Sequence, residues 1–147
     1  MKKVSKNIKE TTEIAKTFLD KILKDKKNTE KATIVCLSGN LGAGKTAFTQ
    51  GVAKHLGVKS KVVSPTFVIY KKYPLKNKKH KYLFHLDAYR LKNEKELLHL
   101  DWNKIVSDNE NLVIVEWPEN VKKVIPKYAK YIYISNDKND SRILELK

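Results

Sequence analysis

The chain has 147 residues, 31 Lys+Arg against 16 Asp+Glu, a formal charge of +15, and 41% hydrophobic and 32% charged side chains. That hydrophobic share can fill a core and excludes a disordered or collagen-like chain, and the length suits one domain spanning residues 1–147. No run approaches the roughly 18 apolar residues of a membrane-spanning helix.

The basic start, Met1-Lys2-Lys3-Val4-Ser5-Lys6, leads into Asn7-Ile8-Lys9-Glu10 rather than an apolar stretch, so it does not read as a secretory signal. The lone Cys36 cannot form an internal disulfide, and no thiol cluster offers a zinc site. A cytoplasmic protein is expected.

In chain order, Ile8, Ala15, Phe18, Leu19, Ile22 and Leu23 recur at helical spacing and predict an amphipathic helix over residues 5–24. A polar turn follows over 24–30, then Ala32-Thr33-Ile34-Val35-Cys36-Leu37 reads as a buried strand. After the glycine-rich run at 38–46 a helix is expected from Thr46 to about Leu56, stopped by Gly57. Strands are expected at Lys61-Val62-Val63, Thr66-Phe67-Val68-Ile69-Tyr70 and, after a lysine-rich turn, Tyr82-Leu83-Phe84-His85-Leu86, the two longer ones forming an antiparallel excursion. Asn93 can cap a helix reaching Leu100, and a short helix covers 101–106. Leu112-Val113-Ile114-Val115 is a buried strand, and residues 131–134 and 142–146 make two closing strands.

The run Gly39-Asn40-Leu41-Gly42-Ala43-Gly44-Lys45-Thr46 satisfies Gly-x-x-x-x-Gly-Lys-Ser/Thr, a phosphate-binding loop, and lies between a buried strand and a helix as that loop requires. Glycines allow positive φ, so successive N–H groups can line an anion nest, and the helix directs its positive dipole end to the same place. Lys45 would reach β/γ-phosphate oxygens, and Thr46 would offer its hydroxyl to Mg²⁺. The expected fold is therefore α/β: a three-layer P-loop NTPase-like fold with a mixed, mainly parallel sheet and an antiparallel strand insertion.

A second acid is expected at another strand end. Glu116, directly after 112–115, is the preferred second Mg²⁺ anchor, against the alternative of a strand ending on a surface charge. In His85-Leu86-Asp87, alternation puts His85 and Asp87 on one face. There Asp87 orients the attacking water or completes the metal shell while His85 steadies it; the competing reading is a structural Asp87–Arg90 pair or a satisfied histidine. A metal site of His80, His85 and His99 has no ligand-like spacing. Ser64-Pro65-Thr66 is either a γ-phosphate-sensing switch or a plain turn. Trp117 is either a core anchor or a partner-facing aromatic.

These motifs in this order, with Ser64-Pro65-Thr66-Phe67, His85-Leu86-Asp87-Ala88-Tyr89-Arg90-Leu91, Glu96-Leu97 and Val115-Glu116-Trp117-Pro118-Glu119 following the loop, resemble the TsaE (YjeE) family from about residue 5 to the end. The resemblance implies a bacterial ATPase required for threonylcarbamoyladenosine beside the anticodon of tRNAs that read codons beginning with A. It implies binding to the TsaB–TsaD heterodimer, whose TsaD subunit transfers the group, with weak Mg²⁺-dependent ATP hydrolysis resetting that complex. On it, Lys45 and the loop amides of residues 39–46 hold ATP phosphates, Thr46 and Glu116 hold Mg²⁺, Asp87 serves hydrolysis, and Ser64, Thr66 and Trp117 are switch or partner-contact positions. Ala47, Ala88 and Leu100-Asp101 depart from the family's usual residues, the last pair lacking a glycine common after the Glu-Leu helix.

Two other classes stay open. A small-molecule or nucleoside kinase shares the phosphate loop but usually carries an arginine-bearing lid, and neither Arg90 nor Arg142 lies in such an insertion. A basic RNA-binding module fits the charge, and Tyr70-Lys71-Lys72-Tyr73 comes nearest to a stacking platform. All but two of the 31 basic residues are lysines, which suits a solvated surface better than base recognition; tRNA contact, through the complex, is the minority reading.

Overall fold

Two runs of consecutive apolar residues, 34–37 and 112–115, need cover on both faces, and they take the centre of the sheet. The structure is a computed structural model that describes residues 1–25, 30–40, 42–62, 69–76 and 79–147. Its elements in chain order are β1 (Lys2–Ser5), α1 (Ile8–Lys24), β2 (Thr33–Ser38), α2 (Lys45–His55), β3 (Tyr70–Pro74), β4 (Tyr82–Asp87), α3 (Lys95–His99), α4 (Trp102–Ser107), β5 (Asn111–Glu116), β6 (Lys130–Asn136) and β7 (Arg142–Leu146). Short 3₁₀ segments lie at Pro118–Val124 and Lys138–Asp140. The described strands form one seven-stranded sheet in the order β1-β7-β6-β2-β5-β4-β3. The α/β fold and mixed sheet are as expected: β6, β2, β5 and β4 pair in parallel at the centre, and both margins are antiparallel.

Alternation along the strands divides the interior into two layers. Val35, Leu37, Leu112, Ile114, Ile132 and Ile134 pack under α1 and α2 with Phe18, Leu19, Phe48 and Val52. Ile34, Cys36, Leu86, Val113 and Val115 face the other way, against Leu97, Trp102, Ile105 and Val121. Helices α1 and α2 approach closely at Gly51, where a Cβ would stand 3.0 Å from Thr12 Cα and 3.2 Å from Ala15 Cβ. Helix α1 starts at Asn7, whose Oδ1 accepts from Glu10 N at 2.8 Å while Glu10 Oε2 accepts from Lys6 N at 2.7 Å, a reciprocal cap.

Two elements depart from expectation. Lys2–Ser5 is a strand, β1, paired antiparallel with β7; its exposed lysines give no apolar alternation to read, and lysines suit a sheet edge because they discourage pairing with another chain. Of the strand expected over 66–70, residues 66–68 lie outside the described residues; β3 starts at Tyr70 and continues through Lys71 and Lys72, where the sequence predicts a lysine-rich turn. Here Lys72 Nζ lies 4.0 Å from the Tyr82 ring centroid and 5.6 Å from that of Phe84, so Lys72 sits over aromatic faces across the β3–β4 pair. Leu41, the Ser64-Pro65-Thr66-Phe67 motif, Val63 and Val68 and most of the polar turn at 24–30 lie outside the described residues.

At the end of the sheet where β2 begins, His80 is fully buried and its Nε2 is 3.0 Å from Thr33 Oγ1. Burial, helped by the nearby Lys79 charge, pushes its pKa down from 6.5 to about 4. The unfolded chain therefore binds a proton between those values that the folded chain does not, and stability falls as pH drops through that window. From pH 7 to 4.5 we expect a loss of about 2 kcal/mol, less than the full shift gives because solvent screens Lys79. Urea midpoints at the two pH values, compared with those of His80→Gln, test this. A variant that declines as much as the wild type rules His80 out.

Candidate functional site

Three parallel strands bring their C-terminal ends to one edge of the sheet: Leu37 of β2 lies in register with Glu116 of β5, and Glu116 with Asp87 of β4. Leu83 shares the α1/α2 layer while Leu86 belongs to the opposite one, so His85 and Asp87, two and four positions beyond Leu83, face the side on which α2 begins. Leu112 and Ile114 place Glu116 on that side by the same count.

Between β2 and α2 the glycine loop makes the turn its sequence anticipates. Gly42 and Gly44 have φ of 77° and 106°, where glycine has no steric cost, and Ala43 N donates to Asn40 O at 3.0 Å. A Cβ on Gly39 would collide with the Ile134 carbonyl oxygen of β6, so the loop lies tight against its neighbouring strand. Helix α2 begins at Lys45, one residue before the expected start.

Lys45 is only 7% exposed. Its Nζ donates to Gly39 O and stands 3.7 Å from the Trp117 ring centroid. Burial lowers its pKa below the usual lysine value, opposed in turn by the negative charges of Glu116, Asp87 and Glu119. A desolvated cation held beside a glycine loop with two positive-φ glycines is suited to an anionic ligand that brings its own cation.

Glu116 is 2% exposed and its Oε2 lies 2.8 Å from Nε2 of the fully buried His85. Since a carboxylate accepts, Nε2 is the donor; Nδ1 has no hydrogen-bond partner among the described residues. The sequence reading had His85 steadying Asp87, but it holds Glu116 instead, because β5 is the neighbouring strand and the two side chains share a face. Asp87 Oδ1 accepts from Tyr89 N at 2.9 Å. The segment after β4 is pinned by Ala88 N donating to Glu116 O and by Asn120 Nδ2 donating to Ala88 O and Tyr89 O.

Trp117 settles into a role the sequence left open. Its backbone is left-handed, φ 58° and ψ 50°, a conformation that costs a bulky residue on the order of 1–3 kcal/mol. That turn lays the indole between the Lys45 ammonium and the Tyr89 ring, whose centroid is 5.0 Å away. Glu119 Oε1 accepts from Ser38 Oγ at the end of β2. Asp101, where a glycine was missed, takes the left-handed conformation itself, φ 60°, which aspartate tolerates better than most residues.

Thr46 in the first turn of α2 and Glu116 and Asp87 at the adjoining strand ends are among the oxygen donors at this edge. Among the described residues no group of three or more His, Cys, Asp or Glu is placed to hold a metal. His80 lies at the other end of the sheet, and His99 is exposed on α3. The residue sequence reasoning missed is Arg142, which starts β7 and reaches the loop, its Nη2 donating to Gly42 O at 3.2 Å. Its only signal was rarity, an arginine in a lysine-rich chain.

Comparison with known proteins places this geometry. A family model described as "Threonylcarbamoyl adenosine biosynthesis protein TsaE" matches residues 5–144. The chain is 31% identical over 140 residues to the tRNA threonylcarbamoyladenosine biosynthesis protein TsaE of Rickettsia typhi, covering 95% of this chain and 89% of that one. It is 38% identical over 109 residues to the protein of that name from Bacillus subtilis, covering 74% and 65%. The crystal structure of Bacillus subtilis YdiB superposes with a TM-score of 0.74 at 28% identity, over 98% of this chain and 82% of that one.

Proposed function

The chain belongs to the TsaE family, and from that premise we propose that it is a Mg²⁺-dependent ATPase that serves threonylcarbamoyladenosine modification of tRNA by associating with a TsaB–TsaD heterodimer. The observation that carries the ATPase reading is the convergence of Lys45 with Glu116 and Asp87 at the mouth of the glycine loop. Loop amides of residues 39–46, together with the start of α2, bind the polyphosphate. Lys45 leaves Gly39 O for a β/γ-phosphate oxygen and keeps its contact with the Trp117 face. The Thr46 hydroxyl and Glu116 carboxylate are the hard oxygen donors that suit Mg²⁺, and His85 fixes the carboxylate's orientation. When bound, the ion supplies neutralisation of charge on the β- and γ-phosphate oxygens. Asp87, in register with Glu116 and less buried, orients the attacking water.

The RNA-platform alternative is weakened because Tyr73 is 7% exposed and one side of the Tyr70 ring is taken up by Phe84, 5.8 Å away. Among the described residues no helix is long and apolar enough to cross a membrane. Two experiments test the proposal. With γ-labelled ATP, label is expected in inorganic phosphate; label on a nucleoside means a kinase. With purified TsaB–TsaD, co-elution is expected with ATP and Mg²⁺ and lost without nucleotide. Equal behaviour in both conditions removes the partner claim and leaves the nucleotide site standing.

A further inference from the structure

We propose that Arg142 forms a shelf for the base of the bound nucleotide, at the end of the loop remote from hydrolysis. The inference rests on the nucleotide-site reading above and adds a residue to it. The sheet order sets the geometry: β2 carries the loop, β5 and β4 bring Glu116 and Asp87 to one flank, and β6 and β7 lie on the other. Hydrolysis belongs to the flank with the acids, so the nucleoside end of a nucleotide in the loop extends toward β6 and β7. Arg142 is the first residue of β7 and meets the loop there.

Its attachment favours base over phosphate. In an anion nest the amides turn inward and the carbonyls outward. Arg142 Nη2 donates to the Gly42 carbonyl at 3.2 Å, so this nitrogen is engaged by the loop backbone and not free for a phosphate. It is held close: Cδ and Nε each lie 3.0 Å from where a Cβ on Gly44 would stand, so Gly44 makes room for the arginine as well as adopting a φ of 106°. The Nε is buried and has no hydrogen-bond partner among the described residues, so one donor of the fork is left unused there. A planar cation fixed by its far nitrogen and its stem has a face to offer, and guanidinium groups stack on aromatic rings. In a chain whose other basic residues are lysines except Arg90, a lysine here could reach the same carbonyl but has no plane to stack.

Calorimetric binding of ATP–Mg²⁺ and of inorganic tripolyphosphate–Mg²⁺ to wild type, Arg142→Ala, Arg142→Lys and Lys45→Ala tests the shelf. Arg142→Ala is expected to weaken ATP about tenfold and to leave tripolyphosphate within about twofold, the unchanged second ligand also showing that the loop is intact. Arg142→Lys, which keeps the charge, is expected to recover little of the ATP affinity. Lys45→Ala weakens both ligands. Unchanged ATP affinity in Arg142→Ala, an equal loss for tripolyphosphate, or full recovery by lysine overturns the shelf while the nucleotide site survives. A wild type that binds neither ligand removes the site itself.

Discussion

Replacing Lys45 with alanine is expected to weaken ATP–Mg²⁺ binding at least about 30-fold, 2 kcal/mol or more, by removing a charge-assisted bond to phosphate at a desolvated position. The magnitude follows from the surroundings. Lys45 is 7% exposed, so its charge acts through little water, and the Trp117 face, a contact kept on binding, already confines the ammonium. Glu116, Asp87 and Glu119 stand close enough to favour its charged form, and without the lysine the same acids repel an incoming polyphosphate. Lys45→Met separates the two contributions: it keeps most of the aliphatic stem against Trp117 but lacks the charge. Both variants should bind ATP equally poorly in calorimetry, and a Met variant that binds like wild type would assign the effect to packing.

Much of the fold and of this site was legible because the residues concerned have few alternatives. A glycine loop between an apolar run and a helix has one well-known geometry, and the described part of 39–46 adopts it, with Gly42 and Gly44 at positive φ. The run at 112–115 could only be a buried strand, and its following acid, Glu116, inherits the strand's end. What was hidden depends on pairings between distant segments. Strand β1 is recognisable only through its partner β7, some 140 residues away, since Lys2 and Lys3 have no pattern of their own. The His85–Glu116 bond requires knowing that β4 and β5 are neighbours in that register. Arg142 becomes part of the loop only once β7 is laid beside β6. The Trp117 turn is hidden for another reason: sequence rules reserve a left-handed φ for glycine or asparagine, and here the Lys45 and Tyr89 contacts hold a tryptophan in it.

Glu116→Gln is expected to lower ATP turnover about 100-fold while ATP affinity changes far less, because the substitution keeps the side chain's shape and removes the charge proposed to anchor Mg²⁺. The fold should tolerate it: a glutamine carbonyl oxygen still accepts from His85 Nε2 at the position of Oε2, and losing a carboxylate that is 2% exposed relieves some desolvation cost. Thermal melting within a few degrees of wild type checks that point. The diagnostic measurement is a magnesium titration of turnover, which should move to higher concentration if Glu116 holds the ion. His85→Ala gives the counterpart. Its loss frees the Glu116 carboxylate to rotate, so it should raise the magnesium requirement more than it lowers turnover at saturating magnesium, whereas Glu116→Gln raises the requirement and also lowers turnover at saturating magnesium. If the two variants showed the same magnesium midpoint as wild type, Glu116 would be only a buried partner of His85 and a charge beside Lys45, and the second oxygen ligand would have to come from Asp87 or Glu119, the other carboxylates near Lys45.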